Sequence, residues 1–154
     1  MNDAERLVRA YYDAFNAGDT EAFLALLAED VVHGINQGAR ETGRAAFARF
    51  MDGMSGSYEE QLADLVVLTG PDGTRAAAEF VVHGTYKRTA PGLPAATGQR
   101  YVLPAGAFFT LRGGQVARID NHYNLQDWLR QVSAPSPSGL RWSHISGTIK
   151  ETKQ

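Results

Sequence analysis

The strongest constraint on the fold is a change of hydrophobic period partway along the chain. Up to about Met54 apolar side chains recur every three or four residues. Beyond Gly56 the core residues are β-branched or aromatic and are separated by Gly- and Pro-containing turns. Helices first and strands afterwards predict an α+β domain, with the helices segregated on one face of a meandering sheet. A chain of 154 residues with 44% in the hydrophobic group has room for one substantial core.

Leu7, Val8, Tyr11, Tyr12 and Phe15 share one face of a helix over residues 3–17, which Gly18 should end. Asp19 or Thr20 then caps a short second helix carrying Phe23, Leu26 and Leu27 inward. Val31 to Ile35 suits a short strand leaving through Asn36-Gln37-Gly38. From Gly43 the helical period returns, with Phe47, Phe50, Met51 and Met54 on one face. Strands are expected over 58–68, 74–88, 99–111 and 116–123, with tight turns at Gly70-Pro71-Asp72-Gly73 and Gly113-Gly114. Asn124, three residues before Asp127, suits the cap of a last helix over 125–132. The domain is therefore placed at residues 1–132. Residues 133–154 read as a Ser- and Pro-rich linker and tail, within which Leu140 to Ile145 forms a possible docking arm.

Charge excludes some partners. Fifteen Lys and Arg against seventeen Asp and Glu, without long single-sign blocks, argue against nucleic acid or an anionic membrane. No apolar run approaches the roughly 20 residues of a bilayer span, and the first residues do not resemble an export signal. The absence of cysteine fits a reducing compartment, and the cytoplasm is the expected location. No glycine-rich phosphate loop or metal-ligand spacing occurs, so no cofactor and no metal are expected.

Particular words then carry a resemblance: Tyr11-Tyr12-Asp13-Ala14-Phe15-Asn16-Ala17-Gly18-Asp19, Leu27-Ala28-Glu29-Asp30-Val31-Val32 and Gly43-Arg44-Ala45-Ala46-Phe47. Val82-His83-Gly84-Thr85-Tyr86 and Gly114-Gln115-Val116-Ala117-Arg118-Ile119 follow in order. Over residues 4–132 the chain resembles the nuclear-transport-factor-two-like superfamily, and within it the ketosteroid-isomerase-related and SnoaL-like polyketide cyclase proteins. The resemblance implies a cone-shaped, curved antiparallel sheet, with three N-terminal helices on its concave face and a short C-terminal helix. It implies an apolar pocket and a homodimer. It places Tyr11 where the isomerases keep an oxyanion-donating tyrosine. The general-base aspartate falls near Ile35 or Asn36 and the second, protonated aspartate at Ala107, so both isomerase acids are absent here.

His33 is the best remaining base, since a neutral imidazole can take or pass a proton near neutral pH. The alternative is a packing histidine bonded to a neighbouring carbonyl. Asn121 and Tyr123, two apart on a strand, look the same way, and the resemblance puts them in the pocket, where they could orient a carbonyl or hydroxyl. Otherwise they are core and turn residues. Asn36 and Gln37 at the rim could bind substrate or cap a turn. Phe80 and Val82 face the pocket by the resemblance, and Phe109 is taken as a further ligand contact among aromatics that are mostly core. Glu79 and His83 share a strand face. They are read as convex-side dimer contacts together with His122, the alternative being chemistry in the pocket.

Two functions are expected from this. One is an isomerase, dehydratase or cyclase acting by proton transfer on a small hydrophobic molecule, with Tyr11, Asn121 and Tyr123 polarising an oxygen while His33 moves the proton. The other is a dimeric module that binds a small hydrophobic ligand without chemistry.

Overall fold

The computed structural model describes residues 1–36 and 38–133. Gln37 and the tail from residue 134, including the Leu140 to Ile145 arm, lie outside the described residues.

Helix α1 (Asp3–Ala17) starts where the Asn2 side chain accepts from the Glu5 N–H at 2.8 Å. It ends at Gly18, whose φ of 67° is the left-handed cap that a residue without a Cβ adopts most easily. Asp19 accepts from Ala22 N–H and so caps α2 (Thr20–Ala25). Strand β1 (Leu27–Ile35) begins four residues before the expected strand. A short strand β2 (Arg40–Thr42), not expected from the sequence, returns against it. Helix α3 (Arg44–Ser57) runs through Gly53 and Gly56.

Four long strands follow: β3 (Tyr58–Thr69), β4 (Arg75–Tyr86), β5 (Gln99–Arg112) and β6 (Gln115–Tyr123). Helix α4 (Leu125–Ser133) closes the domain, and the Asn124 side chain accepts from Asp127 N–H at 3.1 Å.

The six strands form one sheet in the order β2-β1-β6-β5-β4-β3. Neighbours are antiparallel except β1 and β6, which pair in parallel because the whole intervening chain acts as their crossover. Strand β4 alternates cleanly, with Ala76, Ala78, Phe80, Val82 and Tyr86 buried. Tyr11 and Tyr12 of α1 pack on this face against Phe109 and Phe80, their ring centroids 5.5 and 5.0 Å away. Burying several such rings, each worth roughly 1.5–3 kcal/mol, fixes the helix layer to the concave side. No helix among the described residues is long and apolar enough to cross a membrane.

Candidate functional site

Between the curled sheet and α1, α3 and α4 lies a cavity of about 190 Å³. Most of its wall is apolar, with Phe47 and Phe50 from α3, Phe80 from β4 and Leu103 from β5 among the contributors.

Two polar groups meet in that wall because β1 and β6 pair side by side. Period two turns His33 and Ile35 inward on β1, and Asn121 and Tyr123 inward on β6. His33 is 2% exposed and lies flat on Phe47, ring centroids 3.9 Å apart, with Phe50 edge-on at 4.7 Å. Asn121 Nδ2 stands 3.2 Å from His33 Nε2. With the amide donating, the ring proton belongs on Nδ1, which is buried without a partner among the described residues. Burial lowers the His33 pKa to about 4, and the carboxylate of Asp120 only partly opposes it. That carboxylate is shared by Arg118 at 2.8 Å and Arg40 at 3.2 Å. The imidazole is therefore neutral at pH 7.

Tyr11 also lines the cavity, and burial raises its phenol well above the usual tyrosine value, so it remains a protonated donor. Tyr123 stands 38% exposed at the mouth, with its pKa raised by burial and then by the nearby Glu60 charge. Thus Tyr11, His33, Asn121 and Tyr123 all border one cavity, together with Phe80 and Val82. Ala107, where the resemblance would put the second isomerase aspartate, is buried and pairs with Asn121 across the strands.

Other expected positions fall elsewhere. Phe109 is 1% exposed but is not part of the cavity wall, because Tyr11 and Tyr12 pack edge-on over it. Asn36 is a brace: its Oδ1 accepts from Tyr123 N–H at 2.9 Å, and its own N–H donates to Asn121 O. Its φ of 41° is the turn conformation that Asn tolerates, and its side chain ties the exit of β1 to β6. Glu79 and His83 are exposed on the convex face, and no ion pair joins them among the described residues. His122 is exposed beside Phe108, ring centroids 5.6 Å apart, and also contributes to the cavity wall. Among the described residues no group of three or more His, Asp or Glu could hold a metal ion.

Several cavity residues escaped the sequence reading, among them the phenols of Tyr12 and Tyr58 and above all the carboxyl of Glu60. A signal for Glu60 existed in the strand opposite. Gly84 follows Phe80 and Val82 on the inward parity, and an inward glycine in a strand marks the close approach of a neighbouring group.

Residues 8–119 match the family described as the SnoaL-like domain. A Pseudomonas putida protein provisionally named a polyketide cyclase is 61% identical, with 86% of this chain and 98% of that one covered and a TM-score of 0.83. A Xanthomonas campestris protein carrying the same provisional name is 60% identical over 84% of this chain and 96% of its own, with a TM-score of 0.82. A nuclear-transport-factor-two-like protein of unknown function from Burkholderia pseudomallei, 20% identical, shares the fold with a TM-score of 0.71 over 87% of this chain and all of its own. No curated protein matches the chain. With the family match spanning most of the domain and the cone-shaped sheet closing over a cavity, the chain belongs to the SnoaL-like domain family.

Proposed function

We propose that the chain is a small-molecule enzyme of the isomerase, dehydratase or cyclase type, which moves a proton on a hydrophobic substrate held in this cavity. The observation that carries the reading is the His33–Asn121 pair, set in an apolar wall beside the phenols of Tyr11 and Tyr123. A neutral imidazole whose Nε2 is held by an amide at 3.2 Å can exchange that contact for a substrate proton. The released Asn121 amide and the phenols then donate to the oxygen on which charge develops, in a site from which most water is excluded. A cavity of about 190 Å³ lies below the roughly 300–1,000 Å³ of drug-sized sites, which favours a small substrate with one carbonyl or hydroxyl. The provisional cyclase names of the relatives near 60% identity agree with this chemistry.

The test is a panel of lipophilic ketones, lactones and epoxides, scored by thermal shift and by product formation. A hit that yields product supports the enzyme. Stabilisation without product supports the non-catalytic binding module instead. His33→Ala should abolish turnover while the protein remains folded, and an unchanged rate removes His33 from the mechanism.

We further propose that two copies pair through the convex face, with Glu79, His83 and His122 in the contact. Support comes from the exposed Val66, Leu68, Val102 and Phe108 that share this face.

A further inference from the structure

Glu60 is a carboxyl in the cavity wall that the mechanism above leaves unused. Three residues stand in one row across the sheet: Glu60 on β3 pairs with Gly84 on β4, and Gly84 pairs with Tyr101 on β5. A Cβ at Gly84 would overlap the Tyr101 ring. Glycine there lets the phenol lie across the middle strand, and its hydroxyl donates to Glu60 Oε2. Tyr101 is 1% exposed and backed edge-on by Trp128 of α4, ring centroids 5.9 Å apart. The ring has nowhere else to go.

Among the described residues the other titratable groups facing the carboxyl are phenols: Tyr58 from its own strand and Tyr123 from β6. None of the described Lys, Arg or His side chains forms an ion pair with it. Burial raises the Glu60 pKa, and the Tyr101 hydrogen bond partly offsets this. A leucine would fill such a position more cheaply than a carboxyl without a countercharge. Strands β1 and β3 are four intervals apart in the sheet order, which is about 19 Å on a flat sheet at about 4.8 Å per strand. Curling brings both to one cavity, with the apolar row Leu62, Val82 and Leu103 beside Glu60.

We propose that Glu60 is a second proton-transfer residue of this cavity, held by Tyr101 across the gap at Gly84, and that it serves the oxygen of a carbonyl substrate whose acidic C–H faces His33. The inference deepens the proton-transfer reading and rests on it. As His33 Nε2 takes a proton from the carbon next to the carbonyl, the C–H electron pair forms a C=C bond. The carbonyl oxygen takes the proton of the Glu60 carboxyl, giving an enol and a carboxylate that keeps the Tyr101 hydrogen bond. In the second half the enol O–H returns its proton to Glu60 and the imidazolium protonates carbon. This occurs at the original position or, in a conjugated enol, at the far end. Both residues end as they began, and no co-reactant is needed. Tyr101 acts through Glu60 and is a positioning residue.

The carboxyl can be titrated directly in protein labelled with 13C at the glutamate side-chain carboxyl, the Glu60 signal being the one missing in Glu60→Gln. The expected midpoint lies above the ordinary glutamate range. Tyr101→Phe and Gly84→Ala should each raise it further, since both remove the hydrogen bond that favours the ionised form. A panel ketone turned over by the wild type should lose at least about 100-fold in kcat with Glu60→Gln, the lower end of general acid–base contributions. The alkaline limb of the kcat profile should move upward in Tyr101→Phe together with the midpoint, which a merely structural tyrosine would not produce. An ordinary midpoint, a midpoint unmoved by Tyr101→Phe, or wild-type kcat in a folded Glu60→Gln overturns this proposal and leaves the His33 reading standing. If the wild type turns over nothing in the panel, the proton-transfer reading fails and this proposal fails with it.

Discussion

At the scale of single residues, burial of His33 couples stability to pH. The folded imidazole titrates at about 4, whereas an imidazole in the unfolded chain titrates near 6.5, so between those values the unfolded chain binds more protons. Stability contributed by this group is complete above about pH 6.5 and is lost as the pH falls toward 4. A pKa difference of that size is worth about 3 kcal/mol. Urea unfolding at pH 7 and pH 4 should show wild type losing about that much more than His33→Asn, which has nothing to titrate. Equal losses would mean that the imidazole is not desolvated in the native state. Glu60 acts with the opposite sign. Its raised pKa means that the native state holds a proton the unfolded chain releases, so its contribution is present at acid pH and is lost as the pH rises through the folded value.

At the scale of elements, the helix layer is fastened to the sheet by a few side chains as well as by rings. Strand β3 is an edge strand, and the Asn16 side chain at the end of α1 closes on it like a short strand. Its Oδ1 accepts from Leu62 N–H at 2.8 Å, and its Nδ2 donates to Leu62 O at 2.9 Å. Gln61 donates back to Asn16 O at 2.9 Å. Asn16→Ala should cost about 2 kcal/mol, two hydrogen bonds at roughly 1 kcal/mol each. It should also speed hydrogen exchange of the Leu62 amide by more than the global loss speeds that of Leu103 in the sheet interior; equal acceleration at both sites would mean that the clamp does not act locally. Period and parity made much of this layout readable beforehand. The 3.6-residue repeat located α1 and α3, and two-residue alternation turned His33 with Ile35, and Asn121 with Tyr123, to the same side. The failures were equally physical. Arg40-Glu41-Thr42 has no apolar alternation, and β2 exists only because β1 offers it an edge. Tyr58-Glu59-Glu60-Gln61 carries polar groups on both parities, and a bulge between Ala63 and Val66, with Asp64 at φ 58°, changes parity along β3. Which glutamate faced inward was therefore hidden. Phe109 had the inward parity, but only tertiary packing puts two tyrosines between it and the cavity.

At the scale of the whole molecule, the described helices pack on the concave side (α1 on β3 and β4, α3 on β1) or against β5 (α4), and the outer surface of β3 to β6 has no covering layer among the described residues. Leu68 is 64% exposed there and Phe108 54%, values that large apolar side chains rarely reach together on one face without a partner. Gly106 pairs with Glu79 on one side and His122 on the other, so the face has a gap in side chains between those two, with Phe108 two residues along β5. A two-fold arrangement is self-complementary, since whatever one copy inserts it also receives. The proposed pairing seats each Phe108 near the other copy's gap and buries Leu68 and Val66 at the flank. Sedimentation of the wild-type chain at micromolar concentration should then give a dimer. Phe108→Arg combined with Leu68→Arg should give a folded monomer, because two guanidinium groups per copy would have to be desolvated opposite their own symmetry mates. Neither Leu68 nor Phe108 lines the cavity, so the monomer should bind panel ketones within a few-fold of wild-type affinity. A wild-type monomer would refute the pairing and a double variant that stays dimeric would place the contact elsewhere; either returns Leu68 and Phe108 to open surface.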